Sequence, residues 1–270
     1  MMRLVYEPED LPVGSHAVSF YGAPPEAARG IASFLKGAHD RKQTAIILTS
    51  DDRMLELYRR EVSQRVPAML NALRRIPGPH VRPTAEGLRP VPEAMEFVVA
   101  HPEGATMAAD TLPGILDRRT LPDILAYEGW FDGLRPFRHR GLCPYDLSRL
   151  PVDRAPETLG RLARAHSHGV LSSDPNPGVR FLQLLVLPHV ENPPAEHLGW
   201  LARAVDFGLM EERPQEETVG LTPRGEDFAR ALLGLPDYVQ EAAAAAQSRR
   251  RPRLEPELGM PSRGFRPEDS

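Results

Sequence analysis

Between Ser15 and Thr49 the chain sets out a strand, a helix and a second strand, and this order restricts the fold more than any other feature of the sequence. SHAVSFY, residues 15–21, is a run of alternating and β-preferring residues that ends in the turn-forming GAPPE. From Pro25 to His39, Ala28, Ile31, Ala32, Leu35 and Ala38 recur at helical spacing, with Gly37 where the helix would begin to fray. TAIILT, residues 44–49, is then a short, apolar, β-branched run of the kind that is buried on both faces of a parallel sheet. Strand, helix and strand in this order predict a βαβ unit.

The alternation continues. A second helix opens with Ser50 or Asp51 as N-cap, runs through Met54, Tyr58 and Val62, and bends or stops near Pro67. Residues 76–92, IPGPHVRPTAEGLRPVP, read as a loop or flap over a site. MEFVVA, residues 95–100, reads as another buried strand, followed by a helix around Leu121 to Phe131, a strand within HRGLCPYD at 139–146 and a closing helix from Pro156 to His166. SSDPNPG, residues 172–178, is dense in turn-forming residues and reads as a linker, which places an α/β domain over residues 1–172.

Beyond the linker, VRFLQLLVLPHV and AEHLGWLARAVDFGLM carry apolar residues at helical spacing, the second through Leu198, Leu201, Ala202 and Val205. A charged hairpin follows in EERPQEETVGLT, then a helix opened by Thr222 with Pro223 at its first position and Leu232 on its apolar face. Helices, wing and helix suggest a small winged helix over residues 173–236. Residues 237–270, with AAAAA, SRRRPR and PSRGFRPEDS, have the composition of a disordered tail. The expected fold class is therefore α/β, a parallel or mixed sheet flanked by helices, plus a C-terminal winged helix.

Composition narrows the function. With 270 residues, 41% of them hydrophobic, the chain can build a substantial core, and a net charge of −4 gives no global attraction to nucleic acid or anionic lipid. No apolar run approaches the roughly 20 residues that span a bilayer, and MMRLVYEPEDLP lacks the basic start and apolar stretch of a secretory signal. The expectation is a cytoplasmic protein with no membrane partner. Cys143 is the one cysteine, so an internal disulfide is excluded, and neither CxxC nor HExxH spacing occurs; no metal and no cofactor is expected.

The first strand leads into Gly22, Ala23, Pro24 and Pro25 at a helix start, where a nucleotide phosphate would sit. This loop lacks G-x-x-x-x-G-K-[ST], and its prolines remove two amide donors, so it reads as an ordinary turn without ATP hydrolysis. His16, Tyr21, Glu128, Cys143, Tyr145, Asp146 and His166 form a second candidate set, placed mostly at strand ends or in loops. Tyr21 and the Tyr145–Asp146 pair suit the carboxyl ends of strands, where open α/β sheets bind ligands. A cysteine and histidine in proximity would serve as nucleophile and base, redox thiol or part of a metal site, whereas a lone cysteine is more often a small buried hydrophobe. No G-x-S-x-G elbow supports a hydrolase, and the chain is not read as an enzyme.

His16 with Phe20–Tyr21 in SHAVSFY, Glu26 and Phe34–Leu35 on the next helix, and TAIILTSDD resemble the opening of the MEDS sensory domain. Tyr127–Glu128 and LCPYDLSRLP, ahead of a helix ending near His166, are similar to its closing motif. The resemblance covers about residues 12–172 and departs from the family pattern in the proline-rich stretch 76–92 and in a shortened middle. It implies a RecA-like fold without a working phosphate loop, binding of a small hydrocarbon-derived ligand rather than turnover, and His16 and Cys143 as the family's characteristic histidine and cysteine.

The C-terminal module looks like a winged helix by fold but not by charge. Between Asn176 and Pro236 five arginines face nine acidic residues, and a wing reading EERPQEE would repel a phosphate backbone. Arg203, His197 and Arg224 are its candidate DNA contacts, supplemented by Arg249, Arg250, Arg251 and Arg253 in the tail, which form a basic cluster suited to a flexible arm. Three readings follow. One is a transcriptional regulator that couples a ligand-sensing domain to DNA, as a homodimer; the second is a signalling or scaffold protein whose acidic winged helix meets a basic protein partner. The third, an enzyme, requires His16, Glu128 or Asp146 to converge on Cys143 in a pocket.

Overall fold

The computed structural model describes residues 1–77, 81–84, 87–109, 121–171 and 176–234. In chain order the main elements are β1 (Met2–Val5), β2 (His16–Tyr21), α1 (Pro24–Asp40), β3 (Ala45–Thr49), α2 (Asp52–Arg65), β4 (Leu73–Arg75), β5 (Val81–Thr84), β6 (Gly87–Pro90) and α3 (Pro92–Ala100). There follow β7 (Thr106–Ala109), α4 (Leu121–Asp132), β8 (Arg140–Asp146), α5 (Ala155–Ala165), β9 (His168–Val170) and α6 (Pro177–Gln183). The last are β10 (Val190–Glu191), α7 (Ala195–Asp206), β11 (Met210–Arg213), β12 (Thr218–Leu221) and α8 (Pro223–Leu233).

Eight strands form one sheet in the order β10-β1-β9-β2-β8-β7-β3-β4, and every pairing in it is parallel. Side-chain alternation splits its residues between two cores. Ala17, Tyr21, Ile47 and Leu142 meet α1 and α2 on one face. Val18, Phe20, Ile46, Leu48, Cys143 and Tyr145 meet α4, α5 and α6 on the other. Helices on both faces explain why β3, β7 and β8 are buried along their whole length.

The crossover through α1 carries the chain from β2 over β8 and β7 to β3, while α5 carries it from β8 back over β2 to β9. The connections diverge between β2 and β8, so these two central strands form the switch point of the sheet.

Several elements differ from their sequence expectation. MEFVVA is helical, within α3, because Pro92 fixes a first-turn dihedral and only one face is needed: Ala94 is buried while Val99 is 75% exposed. The strand beside β3 and β8 is instead the four-residue β7. Residues expected as a loop include the antiparallel pair β5–β6, separate from the main sheet. Gly37 does not fray α1; an added Cβ there would lie 2.5 Å from the Glu9 carbonyl oxygen, so glycine permits close approach of the chain around Glu9.

Of the expected linker, residues 172–175 lie outside the described residues, and Asn176 already caps α6 by accepting from the Gly178 amide at 2.8 Å. Residues 1–234 form one compact unit, with β10 paired to β1 and α6 in the core beneath β2 and β8. The hairpin β11–β12 and the Thr222 cap of α8 lie where the sequence placed them. Helix α7 is closed just beyond its end by Gly208, whose φ of 65° turns the chain as Leu209 N donates to Ala204 O. The expected tail from 237 onward lies outside the described residues.

Candidate functional site

Parallel pairing sets His16 opposite Gly141, Val18 opposite Cys143 and Phe20 opposite Tyr145. The strand period turns His16, Cys143 and Tyr145 to the face covered by α4 and α5. Gly141 leaves room for an aromatic neighbour, since a Cβ there would meet the Phe131 ring at 2.7 Å, and Phe131 stacks on His16 with ring centroids 5.5 Å apart. Helix α4 lowers Glu128 into the same place, and α5 ends one residue before His166.

The resulting centre is closed to solvent: His16, Glu128, Cys143 and His166 are all buried. Glu128 Oε2 lies 3.0 Å from His16 Nε2, 3.2 Å from His166 Nε2 and 3.2 Å from Cys143 Sγ. Cys143 Sγ lies 3.4 Å from His16 Nε2, and the Tyr145 hydroxyl donates to Glu128 Oε1. His166 Nδ1 donates to the Leu162 carbonyl at 2.7 Å, and His16 Nδ1 faces Asp132 Oδ1 at 3.7 Å.

Burial alone would push the Glu128 carboxyl up, but the His166 and His16 rings outweigh it and hold Glu128 well below the usual carboxylate range. Burial pulls His16 down, and the neighbouring Asp132 and Glu128 carboxylates more than restore it, leaving it above its ordinary value. His166 is lowered, by burial and then by the charge of His16. Burial and the Glu128 charge push the Cys143 thiol well up, so it is not poised as a thiolate nucleophile. With two imidazoles, a carboxylate and a thiol, the four residues have the donor types of a transition-metal site.

Five of the seven ligand candidates, His16, Glu128, Cys143, Tyr145 and His166, are thus brought together. Tyr21 and Asp146 are not. They pair with each other at the carboxyl ends of β2 and β8, and strand alternation turns Tyr21 to the α1 face, where it lines a cleft of about 150 Å³ with Glu26, Arg29 and Arg65. Asp146 accepts from the Ser148 amide and hydroxyl at 2.9 and 2.6 Å and so shapes the turn after β8. The turn at Gly22 is covered by α6: a Cβ on Gly22 would lie 2.5 Å from Val179 Cγ2.

Sequence reasoning missed Asp132 and the Leu162 carbonyl. The signal for Asp132 was its place four residues after Glu128, on the same helix face. A polar cleft of about 350 Å³ reaches the centre's edge, lined by Arg3, Asp132, Arg135, Arg164, His166 and Glu191.

In the C-terminal module, Arg203 is exposed beside an apolar cleft of about 390 Å³ that also includes Phe181, Trp200, Phe207 and Phe228. Arg224 donates to the Phe207 carbonyl at 3.0 Å, and Arg213 and Arg230 pair with Glu211 and Glu226. Arg249, Arg250, Arg251 and Arg253 lie outside the described residues. No helix among the described residues is long and apolar enough to cross a membrane. The chain matches no protein-family model and none of the curated proteins.

Proposed function

We propose that the protein is a ligand-sensing regulator, a RecA-like sensory domain of the MEDS type that carries a winged helix as its output module. The observation that carries this reading is the meeting of His16 and Cys143, 127 residues apart in sequence and 3.4 Å apart in space, around the buried Glu128. These are the histidine and cysteine that the family resemblance singles out. Their burial and the protonated thiol favour binding over covalent turnover. The cover of α6 over the Gly22 turn favours a sheet that does not hold nucleotide there.

Output requires that ligand bind two conformations with different affinity. The test is binding of the full-length chain to fragmented host genomic DNA across a salt series, with and without small hydrocarbon-derived compounds. Enrichment of discrete fragments, altered by one such compound and unresponsive in His16→Ala, is the expected result.

A second reading, a basic protein partner in place of DNA, is favoured by the surface of α7. Its exposed side chains include Glu196, Leu198, Arg203 and Asp206, followed by Phe207, which makes no positive stripe. Absence of DNA binding at about 50 mM salt, with the arginine tail intact, excludes the DNA reading in the unliganded state and shifts the search to that partner.

A further inference from the structure

The buried centre contains more than a hydrogen-bond network needs. His166 Nδ1 must donate to the Leu162 carbonyl, so in the neutral ring Nε2 carries a lone pair. That atom is buried and faces Glu128 Oε2 at 3.2 Å. Two such atoms can share a proton or a bound metal cation, and four donor atoms within 4.8 Å of one another suit the second. Glu128 Oε2 is also approached by His16 Nε2 and Cys143 Sγ, so three donor atoms crowd one oxygen.

We propose that His16 Nε2, Glu128 Oε2, Cys143 Sγ and His166 Nε2 form a closed, four-coordinate site for a divalent transition metal of the zinc class. The four atoms lie within 4.8 Å of one another, and the separations given above run from 3.0 to 3.4 Å. Zinc bound tetrahedrally by nitrogen and oxygen at about 2.0–2.2 Å and by sulfur at about 2.3 Å spaces its ligands about 3.3–3.6 Å apart. Outward shifts of a few tenths of an ångström bring the short separations to that size, while the longest, within 4.8 Å, close toward it.

The surroundings fit a metal centre. The Leu162 carbonyl orients His166 and Asp132 faces the far nitrogen of His16, while Tyr145 occupies Glu128 Oε1 and leaves Oε2 free to ligate. On binding, the Cys143 thiol loses its proton to solvent, and thiolate and carboxylate together neutralise the dication. Thiolate and imidazole donors select zinc-class ions over magnesium or calcium. Four protein donors leave no position for an activated water, so the metal joins β2, α4, β8 and the end of α5 rather than performing hydrolysis. The polar cleft at Asp132 and His166 supplies the approach. CxxC and HExxH spacings report only ligands that are neighbours in sequence, which explains why positions 16, 128, 143 and 166 gave no such signal.

The test uses the full-length chain stripped with a chelator and titrated with Co²⁺, then Zn²⁺. One equivalent of cobalt per chain, with the intense visible bands of a tetrahedral ion and a thiolate-to-cobalt charge-transfer band, is expected, and one equivalent of zinc displaces it. Cys143→Ser removes the charge-transfer band, and His166→Gln weakens cobalt retention at least ~10-fold. An octahedral cobalt spectrum, or a charge-transfer band that survives in Cys143→Ser, overturns the proposal. Should both variants fail to fold, zinc competition on the wild-type chain decides: failure to compete with a chromophoric chelator of micromolar affinity overturns it. The assignment shares His16 and Cys143 with the regulatory reading but fails separately from it, since a chain that takes up zinc but binds no DNA retains the first and loses the second.

Discussion

Arg140 is among the largest fully buried side chains of the described residues, and its guanidinium donates to the Leu11 carbonyl at 3.1 Å and the Phe34 carbonyl at 2.8 Å while lying 4.6 Å over the Phe34 ring. Burial, and then the nearby Arg41 charge, lower it to about 9, so it stays charged at neutral pH. It ties β8 to α1 and to the turn before β2. Arg140→Met is expected to cost about 2 kcal/mol, and Arg140→Ala about 4 kcal/mol because a cavity is added, both read from urea midpoints. His139 shows a second hidden role: its Nδ1 accepts from the Ala105 amide at 3.1 Å, which requires the neutral ring. Burial, then the charge of His101, hold its pKa below the ordinary 6.5, against an opposing effect of Glu103. The unfolded chain therefore takes up this proton first. The stabilisation is complete above that ordinary value and is lost as pH falls through the lower native one. Urea midpoints measured from about pH 7.5 to about pH 5 should fall less steeply in His139→Asn, which keeps an acceptor, than in the wild type. Neither residue was legible in the sequence, since arginine and histidine are usually exposed and only tertiary burial gives these two their partners. The converging site residues were partly legible, because their types carry chemistry whatever the fold.

Elements whose signal is local were read correctly, as with α1, α2, α4 and the β11–β12 hairpin. The failures have physical causes. A six-residue apolar run such as MEFVVA fits a buried strand or one face of a helix equally well, and the preceding Pro92 decides it. Strands of two to four residues, such as β1, β4, β9 and β10, carry too little pattern to recognise and exist because neighbouring strands supply their hydrogen bonds. Two substitutions test how α6 is seated. Asn176→Ala removes the acceptor for the Gly178 and Val179 amides and should cost about 1 kcal/mol. Gly22→Ala drives a methyl into Val179 and should cost about 1–3 kcal/mol, relieved in part by Val179→Ala. Additive losses in that double variant would show that the two positions do not press on each other.

At the scale of the whole molecule, the segment after residue 176 completes the α/β body. β10 extends the sheet beyond β1, and Val179, Leu182, Leu185 and Val186 join the core that covers β2 and β8. A chain ending at Leu171 should therefore be much less stable than one ending at Gly234, measured as loss of a cooperative thermal transition. Two independent transitions in the longer chain, one matching the short chain, would contradict a shared core. Residue types and short-range periodicity by themselves determined an α/β protein with a charged hairpin between its last helices, because helix spacing, strand alternation and caps act within a few residues. The tertiary structure alone decided the strand order, the seating of α6 and the meeting of residues 16, 128, 143 and 166. Those depend on parallel pairings whose register and crossovers are set by which buried faces fit together, across separations that reach beyond a hundred residues, where local preference exerts no force.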